Sequence, residues 1–267
     1  MGSDLTRRIR AARVGDRQII TPRLNSYLGK HPDIVYDDWV ADRIRDILKA
    51  PQRDRSASFS SSASGTCPRA QMFGFKGIPT GVSHGTQLIN IFNDGRWRHL
   101  RWQAMLLQAG ILSDIEVFLD WPAKLSKGSM DGTGIVPDDH DNEQWRGLEY
   151  GFELKGMNTW GFQNAVKYDR VKEEHLSQID GYFLSGGLDL FVVIYEDKNT
   201  QEWHEWVVEP DPARLSVRQA ELDALNEYAR RKELPPMLPG CKTGKGAEWK
   251  RCDYAGKNGV CVSRRKW

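Results

Sequence analysis

The chain has 267 residues, 39% of them hydrophobic, and 38 Lys and Arg against 36 Asp and Glu leave a formal charge of +2. That balance suits a soluble globular protein of one or two domains, with room for one large core. It excludes a membrane-spanning protein, because the longest apolar run, 190–195, is far below the roughly 20 residues that a membrane helix needs.

Residues 1–55 read as an N-terminal helical arm, and 56–267 as a single domain. Arg7, Arg8, Arg10, Arg13 and Arg17 have no apolar block behind them, so no secretory signal is expected and the protein is placed in the cytoplasm. Within the arm, 37–49 is expected to be a helix with Trp39, Val40, Ile44, Ile47 and Leu48 on one stripe. Serine-rich 56–65 has no apolar periodicity and reads as a flexible connector into Cys67. Along 87–110, Leu88, Ile91, Phe92, Trp102 and Leu106 recur at helical spacing. Gly95 and His99 share their stripe, so His99 is expected to point inward.

Beyond Gly110 the pattern changes to strand-like runs at 115–121, 129–136, 147–157, 188–195 and 202–208, with a helix over 172–184. A last helix over 211–232 ends before Pro235 and Pro236. The order predicts an α/β fold with a central mixed β-sheet flanked by helices; the sheet is mixed because the second and third strands are joined by a short loop. That loop holds Asp138-Asp139-His140-Asp141, which reads as a solvated turn.

The chemistry concentrates on two strands. Leu148, Tyr150, Phe152 and Leu154 alternate with Glu149, Gly151, Glu153 and Lys155, so Glu153 and Lys155 share the face opposite the apolar set. A hairpin can bring Asp131, in Gly128-Ser129-Met130-Asp131, beside Glu153. Two adjacent carboxylates repel unless a cation lies between them, and hard oxygen ligands suit Mg²⁺ or Mn²⁺. A neighbouring lysine can then serve a water or neutralise charge on a phosphate. Taken singly, Glu153 and Lys155 read equally as an ion pair on an edge strand, His99 as a core histidine, and Tyr182 as a packed aromatic.

In order, Gly95-Arg96-Trp97-Arg98-His99, Gly128 to Asp131, Glu153-Leu154-Lys155 and Gln178-Ile179-Asp180-Gly181-Tyr182 resemble the motifs of the RecB-type nucleases of the PD-(D/E)XK superfamily. The resemblance implies a restriction-endonuclease-like core over roughly 60–265. It implies Asp131, Glu153 and Lys155 as catalytic residues, and a metal held by His99, Asp131, Glu153 and the carbonyl of Leu154. Gln178 and Tyr182 would hold the DNA backbone or brace the site. The activity implied is that of a Mg²⁺- or Mn²⁺-dependent DNA exonuclease in recombination, repair or phage DNA processing, encoded by a phage or a bacterium. A structure-specific endonuclease and a non-catalytic iron-sulfur DNA-binding subunit are the alternatives. A recombination partner and a homo-oligomer both stay open.

Four cysteines, Cys67, Cys241, Cys252 and Cys261, occur in a chain too large to need disulfides, so a metal site competes with two disulfides. One early and three late cysteines resemble the iron-sulfur subset of these nucleases, which includes AddB and the CRISPR-associated exonucleases. The resemblance implies a 4Fe-4S cluster that clasps the two ends of the domain. The chain departs from that pattern at Ala255, where a ligand is expected between Cys252 and Cys261, and Cys241 takes the vacant place in the ligand set. Structural Zn²⁺ and unligated thiols are the other readings.

Residues 241–267 hold eight Lys or Arg against two acids. Lys242, Lys245, Lys250, Arg251, Lys257, Arg264, Arg265 and Lys266, with Trp249, Tyr254 and Trp267 among them, suit single-stranded DNA or frayed ends, or a basic surface over a metal loop. Trp97, Trp102 and Trp160 are further candidates for base stacking.

Overall fold

The structure, a computed structural model, describes residues 17–51, 57–80, 85–244, 249–250, 252–255 and 260–263. Two helices, α1 (Thr21–Lys30) and α2 (Asp38–Lys49), are followed by a short strand β1 (Phe59–Ser60), α3 (Pro68–Phe75) and the long α4 (Thr86–Gln108). Then come β2 (Asp114–Trp121), β3 (Ser126–Ile135), β4 (Glu149–Met157), α5 (Thr159–Lys167), α6 (Glu173–Gly186), β5 (Leu190–Asp197) and β6 (Trp203–Val208). The chain continues through α7 (Pro212–Arg231) to two short helices, α8 (Pro239–Thr243) and α9 (Val260–Ser263).

β5 is buried at every position, as its unbroken apolar run requires of a strand covered on both faces. It lies between β4, to which it runs parallel, and β6, to which it runs antiparallel. The sheet is therefore mixed and flanked by helices, as the element order predicts. On one side, Tyr150, Phe152 and Leu154 of β4 pack with Trp102 and Leu106 of α4 and with Ile19, Ile20, Leu24 and Val40 of the N-terminal segment. On the other, Phe191, Val193 and Tyr195 of β5 meet Phe162 of α5 and Ile179, Tyr182 and Phe183 of α6. α3 and α7 close a third cluster around Phe59, Met72, Leu222 and Leu225.

The register at β3 positions the chemistry. β2 follows β3 along its whole length, from Asp114 opposite Thr133 to Trp121 opposite Ser126. β4 pairs with β3 only from Gly132 opposite Phe152 to Ile135 opposite Glu149, while β1 takes Ser126 and Lys127. Because β2 fills one edge of β3, β1 and β4 share the other, and 128–131 on that edge has no strand partner. β3 and β4 thus fork beyond Gly132 and Phe152, with Asp131 on one prong and Glu153 on the other.

Several expectations need correction. The serine-rich segment is not a free connector: Ser58, Ser61 and Ser64 are buried, and 61–63 forms a 3₁₀ turn after β1. It seats beside β3 because Gly128 leaves room; a Cβ there would stand 2.7 Å from Ser61 Oγ and 2.8 Å from Tyr182 Cε1. Small hydroxyl side chains bond their own backbone, as Ser64 Oγ does to the Ser61 carbonyl, so polarity here means a folded turn. His140 is buried rather than solvated; its Nδ1 accepts from the Asn142 N–H, which leaves Nε2 to donate to the Gln18 carbonyl at 3.1 Å. On α2, Val40 is buried but Trp39 and Leu48 are exposed, so the apolar stripe is narrower than the spacing suggests. Helices α3 and α5 have no counterpart in the sequence reading, while α1 is a second helix within the expected helical arm. Among the described residues no helix is long and apolar enough to cross a membrane.

Candidate active site

Alternation along β4 sends Glu153 and Lys155 to the α6 face. Lys155 Nζ donates to Glu153 Oε1 at 2.6 Å and to Gln178 Oε1 at 3.0 Å. Gln178 Nε2 donates in turn to Glu153 Oε1 at 2.9 Å and to the Tyr182 hydroxyl at 2.6 Å, and that hydroxyl donates to the Ser129 carbonyl at 2.7 Å. Gln178 and Tyr182 stand one turn apart on α6, so a single helix face ties β4 to β3 across the fork. Both are buried and bonded to the site's own groups.

Asp131 is held from two sides: Oδ1 meets His99 Nδ1 of α4 at 2.9 Å, and Oδ2 accepts the Leu154 N–H at 2.7 Å. A strand residue sends its N–H and C=O to the same edge, so the Leu154 carbonyl faces the fork as well. His99, Asp131, Glu153, Leu154, Lys155, Gln178 and Tyr182 are therefore assembled in one place. Glu153 Oε2 stands out, because it is buried and has no hydrogen-bond partner among the described residues.

Electrostatics follow from this crowding. Burial, then the charge of Asp131, pushes the Glu153 carboxyl up to about 7, and Lys155 offsets only part of that. Burial would also raise Asp131, but His99, Lys155 and the Leu154 N–H together hold it below the usual carboxylate range. Burial opposes the charged forms of Lys155 and His99, yet the two carboxylates outweigh it and raise both. The site is thus a compact set of two acids and two bases in which one acid lacks a full complement of partners.

Sequence reasoning missed a third acid. In the β2–β3 register Glu116 falls opposite Asp131, between the pairs Ile115–Gly132 and Val117–Met130. Gln103 Nε2 links the two residues, donating to the Asp131 carbonyl at 2.9 Å and to Glu116 Oε1 at 3.0 Å, while Ser129 Oγ reaches Glu116 Oε2 at 3.3 Å. Glu116 has φ of 52°, a left-handed conformation that costs a non-glycine residue roughly 1–2 kcal/mol. Counting the hairpin register would have found Glu116, and the helical step of four from His99 would have found Gln103. A groove of about 920 Å³ opens onto this side of the site, lined by Ile47, Gly95, Arg96, His99 and Glu116 among others.

The donor chemistry fits a hard divalent cation: two carboxylates, one of them with an orphaned oxygen, a facing carbonyl and an imidazole. Among the described residues, no three His, Cys, Asp or Glu side chains stand as a ready-made metal cage. The oxygens of Asp131 are taken by His99 and Leu154, and Glu153 Oε1 by Lys155 and Gln178.

Cys67, Cys241, Cys252 and Cys261 line one cavity of about 20 Å³, together with Arg69, Phe73 and Trp249. None of the four forms a disulfide among the described residues. Burial raises the Cys261 thiol, Arg69 opposes this, and the neighbouring Cys252 and Cys67 add to it. The early cysteine and the three late ones are thus neighbours in space. As it stands, the cavity has room for one ion or one water.

Of the stacking candidates, Trp102 is buried and donates to Glu196 Oε2 at 3.1 Å, so it is not a platform; Trp97 and Trp160 are exposed. Tyr254 packs on Phe73 with ring centroids 5.1 Å apart. Lys245, Arg251, Lys257, Arg264, Arg265, Lys266 and Trp267 of the basic tail lie outside the described residues, as do Arg7, Arg8, Arg10 and Arg13.

No protein-family profile matches this chain, and no curated protein matches it. Among solved structures it is similar to LHK-Exo in complex with dAMP, at 20% identity over 67% of this chain and 94% of that one, with a TM-score of 0.44. The alkaline exonuclease LHK-Exo from Laribacter hongkongensis is similar at 18% identity over 73% and 96%, with a TM-score of 0.40. SSO0001 is similar at 15% identity over 80% and 91%, with a TM-score of 0.46.

Proposed function

We propose that this chain is a metal-dependent deoxyribonuclease that hydrolyses phosphodiester bonds at DNA ends. The observation that carries the reading is the meeting of Asp131, Glu153 and Lys155 at the fork between β3 and β4, with Glu153 Oε2 buried and without a hydrogen-bond partner among the described residues. Asp131 and Glu153, with His99 and the Leu154 carbonyl, would hold Mg²⁺ or Mn²⁺. Such an ion, when bound, supplies a Lewis acid for the phosphate and lowers the pKa of a water.

The remaining work falls to the chain. The Leu154 N–H and His99 fix the orientation of Asp131. Gln178 and Tyr182 keep Glu153 and Lys155 at a set separation, so the site is organised before substrate arrives. The Lys155 ammonium positions the attacking water and neutralises charge that builds on the phosphate oxygens. Cys67, Cys241, Cys252 and Cys261 would hold a structural 4Fe-4S cluster once the thiols moved apart, since the cavity of about 20 Å³ that they line has room for one ion only. A single Zn²⁺ is the second reading, favoured by the small volume that the thiols enclose.

The test uses anaerobically purified protein and compares end-labelled linear DNA with closed circular DNA, in Mg²⁺, Mn²⁺ or EDTA. Metal-dependent loss of the linear substrate alone supports the reading, and the label released first gives the polarity. Cutting of circles would replace it with an endonuclease. DNA binding without cutting would replace it with a non-catalytic binding subunit.

A further inference from the structure

Helix α4 has two unlike halves. From Leu100 onward it buries Trp102, Leu106 and Leu107 in the main core, whereas Leu88, Ile89, Ile91 and Phe92 are 37, 47, 47 and 57% exposed. At 100° per residue, Leu88, Phe92, Gly95 and His99 fall on one stripe. The stripe that enters the core as Leu106 therefore runs back past His99 and continues as a partly exposed apolar rail, in line with the fork through His99. Arg96, one residue beyond Gly95, is exposed, lines the groove with His99 and Glu116, and forms no ion pair among the described residues.

We propose that this half of α4 guides an unpaired DNA strand into the site, with its bases against Phe92 and Leu88 and a phosphate on Arg96. The inference rests on the nuclease reading above and deepens it by naming the substrate class as single strands or frayed ends. The argument is one of complementary surfaces. Paired DNA presents phosphates and groove edges and hides its base faces, whereas an unpaired strand offers a flat apolar face beside each charged phosphate. The rail offers the same pairing, apolar on the His99 stripe and cationic in the adjoining groove. It is also continuous with the reacting centre, so a strand whose phosphodiester lies at Asp131 and Glu153 passes along it.

Binding is read by fluorescence anisotropy in EDTA, where nothing is cut, with a blunt duplex and the same duplex carrying a labelled single-stranded overhang. The wild type is expected to bind the overhang more tightly. Phe92→Ala weakens overhang binding roughly tenfold and blunt-duplex binding less than twofold. Phe92→Trp restores the overhang preference, and Val217→Ala, an exposed apolar residue on α7, leaves it unaltered. Equal binding of both DNAs by wild type and Phe92→Ala, in a protein that cuts DNA, overturns the guide and leaves the nuclease reading intact. A protein that neither binds nor cuts any DNA overturns both. Concentration-dependent self-association in sedimentation that Phe92→Ala abolishes, without change in overhang binding, assigns the rail to a protein interface and overturns the guide.

Discussion

The carboxylate fork and the cysteine cavity, the two places where this chain gathers metal-binding residue types, are built by opposite means. At the fork every ligand candidate sits in a long element: His99 in α4, Asp131 in β3, Glu153 and Leu154 in β4, with braces from α6. Ladder hydrogen bonds and two apolar clusters fix these elements whether or not an ion is present. The cysteines sit on pieces with little stability of their own. Cys67 is the N-cap residue of α3, Cys241 lies in five-residue α8 and Cys261 in four-residue α9, all shorter than helices that persist alone. A strand-borne site is ready before its ligand, while a loop-borne one becomes structure through its ligand.

That contrast can be broken at its strongest point by Asp131→Asn. It is expected to lower cleavage about 10²–10³-fold while the melting temperature shifts by only a few degrees, measured by single-turnover digestion and thermal circular dichroism. Cys252→Ala should do the reverse, lowering melting temperature and bound iron or zinc together, with folded protein at low temperature still cutting. Unchanged metal content and melting in that variant would count against the clasp. Tyr182→Phe removes a hydroxyl that serves both Gln178 and the Ser129 carbonyl, and should cost about 1–3 kcal/mol in denaturant unfolding and slow cleavage more modestly than Asp131→Asn does.

A fourth effect appears only in acid. Burial, then Lys155 and Lys172, lowers the His175 pKa to about 3. The Tyr195 hydroxyl accepts the Lys172 N–H and meets His175 Nδ1 at 2.5 Å, and burial keeps the ring neutral. The unfolded chain takes up a proton below its ordinary value of about 6.5, and the folded one does not until about 3. The contribution of His175 to stability is therefore complete above pH 6.5 and is lost as the pH falls toward 3, by at most about 1.4 kcal/mol per pH unit. His175→Gln should flatten the acid limb of a stability–pH profile; an unaltered slope would mean that the ring is protonated in the folded protein.

How much of this was legible in the sequence depended on whether a pattern was local. The apolar run at β5, the alternation along β4 and the helical stripes of α4 and α7 are short-range periodicities, and each became the expected element within a few residues. Helix α5 carried a usable signal that went unread: Asn158 caps it, accepting the Gly161 N–H at 2.7 Å. Glu116 and His140 were of another kind. Their roles come from hairpin register and from contact with Gln18, neither of which any window of sequence contains. The serine segment misled because composition reports polarity, while its fold depends on space left by Gly128 on a distant strand.

The central claim is that the fork is a hydrolytic centre and not a buried ion-pair network. The most direct measurement is cleavage of linear DNA by Lys155→Ala and Glu153→Gln in Mg²⁺ or Mn²⁺, alongside their unfolding curves. Glu153→Gln keeps the side chain's size and its acceptor oxygen while removing its charge, so the account predicts a folded protein without detectable cleavage, with Lys155→Ala equally inactive. Either variant cutting DNA as well as the wild type would contradict it.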